Sequence, residues 1–496
     1  MKNKSLSSPN KLPIEGLAII FFKAIYKWGR AIWPFIVIYI FKSSQYQAYK
    51  THIYIGIGLI LLLSLIHAIL AYKHFNFQIK DGEFIVNSGY INKEKKSIPL
   101  DRIQTVNIKQ NIVQQIIGVV QLEVDTAGSK KKELSLPALR KEHAKELENI
   151  LLSKKDETLV EDETFQEKST DKEKNNTLFS LSISELAKIA ISDNIFKGGL
   201  LALSFTYGIY QQYNEIINER FANEIDNIQN TANTASWQLI LFAVGVFIVF
   251  SIILSVIRII LINFELKLSQ TSQGYKLEKG LFNKRSVIIP LSKIQTYTWT
   301  TNPIRKIFNI ATITIKQASS DNVEERNAVH IPGCQASTEE NIRKEIFNDS
   351  STQEYDSHKT QAYYFMRSWA IIVLLPTIII PFFVSSYNII AGLITWNIVI
   401  SVMLYMGFKK RKYRISKDYM IIQKGSISTS NKILPIFKIQ AIRFKQSIFM
   451  KRKGRANLVI YTASERIAIP FVSEQFALET YNYILYKIEK KNLIWM

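Results

Sequence analysis

The sequence predicts a membrane protein made of three copies of one unit, an apolar α-helical hairpin followed by a β-rich module that closes in a helix. Three observations carry this. The hexapeptide Pro99-Leu100-Asp101-Arg102-Ile103-Gln104 returns as Pro290-Leu291-Ser292-Lys293-Ile294-Gln295 and as Pro435-Ile436-Phe437-Lys438-Ile439-Gln440. Gly89, Gly280 and Gly425 stand ten residues before the three prolines, and Gly118, Asn309 and Gly454 follow the three glutamines at fourteen residues, with no gap in any copy. Apolar runs precede each copy in pairs. A repeat of this kind outranks any local reading, because a missed repeat misassigns the whole fold.

Within a module, apolar and polar residues alternate on either side of the glycine (Phe84, Val86; Leu277; Ile421), the period of a half-buried strand. The glycine supplies a turn in which positive φ costs nothing. The proline has no N–H to give to a ladder, which suits a strand end. Arg102, Lys293 and Lys438 precede the Ile-Gln pair, so the isoleucine is expected to be buried while a long basic side chain reaches solvent. Each copy closes on an aliphatic-Pro pair (Leu136-Pro137, Ile331-Pro332, Ile469-Pro470) and a segment of helical period.

In order, the polar, basic start Met1 to Lys11 does not have the form of a cleaved secretory signal. Residues 13–73 form the first helical hairpin. Its first arm runs from Leu17–Phe22 through Lys23, Lys27 and Arg30 into Ala31–Phe41, and its second, Ile53–Tyr72, has the length a bilayer core requires. Module 1 is 74–152, with Ala144, Leu147, Ile150 and Leu151 as one stripe of its closing helix. Residues 153–180 read as a charged flexible linker, with eight acids and five lysines between 153 and 177. Residues 181–263 open with Ser182-x-x-Glu185, the form of a capping box. An amphipathic segment, Leu186–Ile191, expected on the membrane surface, leads into a span at Phe196–Tyr210, an acidic loop 214–236 and a second span Trp237–Ile262. Module 2 is 264–347 and a linker 348–362 follows. The last hairpin, 363–408, contains Pro376 and Pro381, expected to kink its first helix, and module 3 is 409–496.

Two crossings before each module place all three on one membrane face. Basic residues flank the spans on the module side (Met1 to Lys11, Lys73, Lys267, Lys409 to Lys412), against an acidic 214–236 loop. The positive-inside rule then puts the modules and both termini on the cytoplasmic side of the membrane.

The net charge is +22. Cys334 is the single cysteine, which excludes an internal disulfide framework and offers a thiol for topology labelling. The six histidines are scattered, so no metal site is expected. No nucleophile-base pair, Walker loop or zinc-protease motif occurs, and no catalytic residue and no cofactor are expected; the protein reads as no enzyme. Transport is an alternative that rests on Asn397, the mid-span polar residue to watch, for which an interhelical hydrogen bond is the simpler role. From Lys409 to the end, 19 Lys and Arg stand against 5 acids. Lys409, Lys410, Arg411, Lys412, Lys451, Arg452, Lys453 and Arg455 are candidates for anionic lipid headgroups or an acidic partner; the positive-inside signal alone would account for the first four but not for the last four. Aromatic residues do not interleave with them, so nucleic acid is not an expected partner.

The thrice-repeated Gly-x9-Pro-x3-Ile-Gln pattern, each copy behind a membrane hairpin, resembles the bacterial pleckstrin-homology-like membrane proteins of the YdbT type, with modules of the bPH2 (DUF304) kind. The resemblance covers nearly the whole chain outside the linkers. It implies that each module is a strongly bent β-sandwich or open barrel of about seven strands capped by the closing helix. It also implies a smaller membrane partner with a single such module and a role in envelope stress or resistance to membrane-active peptides. The third copy departs most, with Ile436-Phe437 after the proline and Met450-Lys451-Arg452-Lys453 before Gly454. The functional expectation is a protein-assembly platform of the cell envelope, possible homo-oligomers included; anionic-lipid binding or sensing is the first alternative and transport the second.

Overall fold

The computed structural model describes residues 8–41, 50–126, 134–153, 176–193, 237–271, 274–318, 328–347, 357–383 and 387–490. They pack as two units, one built on 8–176 and 270–288, the other on 177–269, 289–318 and 328–490. Module 2 of the sequence repeat is therefore shared between them.

In the first unit, α1 (Glu15–Phe41) and α2 (Lys50–His74) pack together as a helical hairpin. The opening turns of α1 rest on module 1. Ile19 packs with Val119 and Ala138, and Arg140 donates to Glu15 Oε1 at 3.1 Å. The apolar run Leu17–Phe22 is thus a docking segment ahead of the membrane arm. A two-residue strand β1 (Asn10–Lys11), from before the hairpin, pairs with β2 (Asn76–Lys80) just after it. With β3 (Glu83–Ser88) and β4 (Glu94–Pro99) they make a sheet in the order β1-β2-β3-β4. Strands β5 (Ile103–Gln110), β6 (Val119–Thr126) and β7 (Leu134–Arg140) make a second, antiparallel layer, with the short helix α3 (Ile112–Ile117) between β5 and β6. The closing helix α4 (Lys141–Ser153) buries Ala144, Leu147 and Leu151 against Phe84, Leu122 and Leu136. Those three residues belong to the stripe expected from the sequence.

The second unit begins at Thr177, within β8 (Asn176–Ser180), a strand inside the segment the sequence assigns to linker; the charged stretch 154–175 lies outside the described residues. Helix α5 (Ile183–Ser192) carries the expected capping box between Ser182 and Glu185. It does not simply lie on the membrane. Leu186, Ile189 and Ala190 are buried against α6 (Trp237–Asn263) and module 2, and a Cβ at Gly333, where φ is +72°, would stand 2.2 Å from Ile189 Cδ1 and displace it. The expected span 196–210 and the loop 214–236 lie outside the described residues. Module 2 continues through β9 (Lys267–Thr271) and, in the first unit, β10 (Gly274–Lys279) and β11 (Lys284–Pro290). In the second unit it runs through β12 (Ile294–Thr301), α7 (Pro303–Ile307), β13 (Ile310–Gln317), β14 (Ala328–Gln335) and α8 (Ala336–Phe347).

Module 3 repeats the plan. Strand β15 (Ser357–Lys359), again from before its hairpin and inside the expected linker, pairs with β16 (Lys412–Ile415) after it. Between them stand α9 (Tyr363–Trp369), a π-helical turn (Ala370–Leu374), α10 (Leu375–Phe383) and α11 (Tyr387–Lys410). The irregularity expected from the prolines takes the form of that π turn immediately before Pro376, while Pro381 sits inside α10. Strands β17 (Tyr419–Lys424) and β18 (Thr429–Pro435) complete the first layer. Strands β19 (Ile439–Lys445), β20 (Arg455–Thr462) and β21 (Arg466–Ser473) form the second. The helix α12 (Ile448–Lys451) lies between β19 and β20, and α13 (Glu474–Lys490) caps the core with Phe476, Ala477 and Ile484.

Four segments among the described residues are long and apolar enough to cross a membrane: Tyr54–His74, Gly245–Asn263, Tyr363–Pro381 and Gly392–Lys410. Asn397 accepts from Thr377 Oγ1 at 3.0 Å, the interhelical hydrogen bond expected of it.

Candidate assembly interface at the module junctions

The repeated residues build the same local structure three times. Gly89, Gly280 and Gly425 all have positive φ, and a Cβ on them would stand 2.0–2.2 Å from the carbonyl oxygen of Asn92, Asn283 or Ser428. No other residue fits that turn. Pro99, Pro290 and Pro435 each cap a short 3₁₀ turn in extended conformation, and Ile103, Ile294 and Ile439 enter the core. At Gln104, Gln295 and Gln440 the pairing register skips one residue in every copy. Such a β-bulge bends and twists the strand, so the Ile-Gln pair marks where each module's second layer turns away from its first.

The strand that follows each bulge carries the junction to the next module. In the first unit β5 pairs antiparallel with β11, and in the second β12 pairs with β18. The registers coincide: the eighth residue after one module's motif proline (Asn107, Thr298) faces the third residue before the next module's (Val287, Lys432). A sheet in the order β7-β6-β5-β11-β10 results in the first unit, and one in the order β14-β13-β12-β18-β17-β16-β15 in the second. Gln115 on α3 adds two hydrogen bonds of 3.0 Å to the carbonyls of Leu281 and Phe282, in the glycine turn of module 2.

Side chains lock the second junction. Glu465, between β20 and β21, accepts from Lys432 Nζ, from Lys316 Nζ at 2.9 Å and from Thr296 Oγ1 at 2.9 Å. Lys316 and Thr296 come from module 2, Glu465 and Lys432 from module 3. Burial pushes the Glu465 carboxyl up, but the two ammonium groups beside it prevail and hold it below the ordinary carboxylate value. Lys438 Nζ donates to the carbonyl oxygens of Ser292 and, at 2.8 Å, Ile294, in the motif of module 2, and burial lowers it to about 8. The expectation that this lysine reaches solvent is therefore wrong for Lys438. It is wrong for the buried Lys293 too and holds for the exposed Arg102. Phe347 at the end of α8 meets Tyr419 of module 3 edge-on at 5.4 Å.

Among the described residues, one layer of module 3 has no successor. In the three-stranded sheet β19-β20-β21, β19 is an edge. Its equivalents β5 and β12 are paired on both sides, and Gln440 is exposed where Gln295 is fully buried. At the other end of the series β4 is likewise an edge, where β11 and β18 are paired. This asymmetry is invisible in the motif, which reads alike in all copies.

The predicted basic residues separate into two groups. Lys410 donates to the carbonyls of Ser426 and Ile427. Arg411 lies 4.6 Å over the Tyr364 ring and donates to its hydroxyl. Arg455 donates to Gln361 Oε1 and lies 4.9 Å over Tyr363. Lys410, Arg411 and Arg455 hold module 3 to its helical hairpin, and Lys412 is half-buried in β16. Lys409, Lys451, Arg452 and Lys453 are exposed. Cys334 has no exposed surface, and burial, aided by Glu339, pushes its thiol up to about 12, so it is no topology label in the folded protein. Glu339 accepts from Tyr297 and Arg343, both at 3.2 Å. Among the described residues no His, Cys, Asp or Glu cluster could hold a metal.

The bacterial PH domain family matches residues 34–155, 222–349 and 370–488, each stretch reaching from the helical hairpin into the module behind it. The chain belongs to the bacterial PH domain family. It carries three such domains, and it is 24% identical over 510 residues to UPF0699 transmembrane protein YdbT of Bacillus subtilis (strain 168), covering 96% of this chain and 99% of that one. No solved structure matches it. The chain is thus a membrane protein of the YdbT type, and its family resemblance and the architecture agree.

Proposed function

We propose that this bacterial PH domain protein is a non-enzymatic assembly platform of the cell envelope, with its modules at the cytoplasmic face of the inner membrane, and that β19 is its docking edge. The observation that carries the reading is the junction made twice in one register, with β19 left open as the third acceptor of that kind. An added strand gains main-chain hydrogen bonds along the edge, the mode of β-augmentation.

The edge also suggests the kind of partner. In the shared register Arg443 would face the third residue before the incoming motif proline, and Lys445 the fifth. In a second copy these positions are Lys96 and Glu94, one repulsive and one attractive. Like charges directly opposite destabilise a pair, so a separate membrane protein with one module of the same kind and a neutral or acidic residue at the first position fits better than a homo-oligomer. A proline at Arg443 or Phe444 tests this, because N–H groups of successive residues alternate between the two sides of a strand. The variant that keeps the wild-type thermal transition is the one that blocks only the outer edge. It is expected to lose a partner that the wild type retains on gentle extraction from its own membrane; a partner retained equally by both would refute the reading.

A further inference from the structure

Each module exposes large apolar residues where it meets its helical hairpin. Two residues after the turn glycines of modules 1 and 3 stand Ile91, 85% exposed, and Ile427, 51%. Tyr90, beside Ile91, bonds His67 at 3.0 Å. His67 lies seven residues before the end of the span Tyr54–His74, about 10 Å back along the helix, so this turn abuts the apolar helix itself. In module 3 the same turn takes Lys410 on the carbonyls of Ser426 and Ile427, at the end of the span Gly392–Lys410.

The short helices between the fifth and sixth strands give a second set. Ile116 on α3 and Ile307 on α7 are 82% and 80% exposed, and α12 exposes Ile448 at 74% and Phe449 at 77%. α3 and α12 sit beside the chain that leads into a hairpin, and α7 sits at the end of α5. α3 packs on Ile19 of α1. Asn302, the cap of α7, donates to Ser192 O at 2.6 Å at the end of α5. Arg455, four residues past α12, grips Gln361 and Tyr363, where the span Tyr363–Pro381 begins. In module 3 the exposed Lys451, Arg452 and Lys453 follow the apolar pair after the buried Met450.

Scattered exposed apolar residues need no explanation, but these recur at equivalent places and, in modules 1 and 3, beside a membrane span. From this recurrence we propose that the turn at Ile427 and the tip Ile448-Phe449 insert into the headgroup and acyl boundary of the leaflet facing the modules, with Lys451, Arg452 and Lys453 on anionic headgroups, and that Ile91 does the same in module 1. Apolar side chains buried at the interface with a cationic rim are the pattern of monotopic membrane contact. The occupant of this surface is lipid. The contact fixes modules 1 and 3 against the bilayer as well as to their helices, and it does not depend on any protein bound at β19.

The test uses the full-length protein in nanodiscs of phosphatidylethanolamine and phosphatidylglycerol. Phe449→Cys and Ile427→Cys are labelled with an environment-sensitive nitrobenzoxadiazole, which the fully buried Cys334 does not take up. The exposed Lys417→Cys, at the far end of β17 from the Gly425 turn, about 20 Å away by strand rise, is the aqueous control. Labels at 449 and 427 are expected to emit to the blue of the control and to be quenched by lipids spin-labelled on the acyl chain. The label at 417 should be quenched by iodide alone. Emission and iodide quenching at 449 and 427 equal to those at 417 would overturn the proposal. So would protection from iodide without acyl-chain quenching, which would mean that protein covers the tip.

Discussion

Replacing Glu465 with alanine removes the centre of the second junction. The Glu465, Lys432 and Lys316 side chains are 7%, 9% and 17% exposed, so solvent cannot take over the lost role of the carboxylate. Two ammonium groups and the Thr296 hydroxyl would then share a small void with no anion between them. Breaking a buried ion pair by deleting one partner costs about 3–5 kcal/mol; the partial exposure of Lys316 places this case near the lower figure, about 3 kcal/mol. Each kcal/mol shifts Tm by roughly 2–4 °C for 150–250 residues and by less for a larger unit, so Glu465→Ala should lower the transition of the second unit by about 6 °C. Differential scanning fluorimetry of the detergent-solubilised protein reads this, with Trp299 on β12 inside the junction. Glu465→Gln keeps acceptors for Lys432 and Thr296 and should lose less. A Glu465→Ala transition within 1 °C of wild type, on the same roughly 2–4 °C scale, would refute the claim that this cluster holds modules 2 and 3 together.

Three further outcomes are expected. Glu465 titrates below its unfolded value of 4.5 in the folded chain, so its stabilisation is complete above that pH and lost as pH falls through the folded value; the acid limb of the Tm profile should be shallower in Glu465→Gln. Gly425→Ala forces a Cβ to 2.0 Å from Ser428 O at φ +130° and should cost about 1–3 kcal/mol, whereas Gly56→Ala, in α2 with open space around it, should cost nothing measurable in the same melt. Cys334 should resist maleimide in the native protein and react once denaturant opens module 2, as its burial and raised thiol value require.

Much of this fold is legible in the sequence because the repeat constrains the backbone. A turn that only glycine fits, a proline that ends a ladder and an isoleucine that enters the core at a bulge leave few alternatives, and their equal spacing in three copies defines the modules. Strands β1, β8 and β15 are not legible because they are short and polar, and their partners β2, β9 and β16 lie beyond an entire helical hairpin. A five-residue pattern such as Asn176–Ser180 carries no signal for a ladder closed at that distance. The burial of Lys438 is hidden for a related reason: the carbonyls that hold it belong to the preceding module. Of the basic candidates, Arg411 and Arg455 separate from Lys451 to Lys453 only through Tyr364 and Tyr363 beneath their guanidinium groups. The open edge of β19 is set by the strands that surround module 3 in space, and nothing in its own sequence marks it.

The most direct test of the central claim is native mass spectrometry of the protein extracted gently from its own membrane, run beside the edge-blocking proline variant of β19. A defined complex with a second membrane protein is expected in the wild type and the lone chain in the variant. A lone chain in both, or the same complex in both, would contradict that claim.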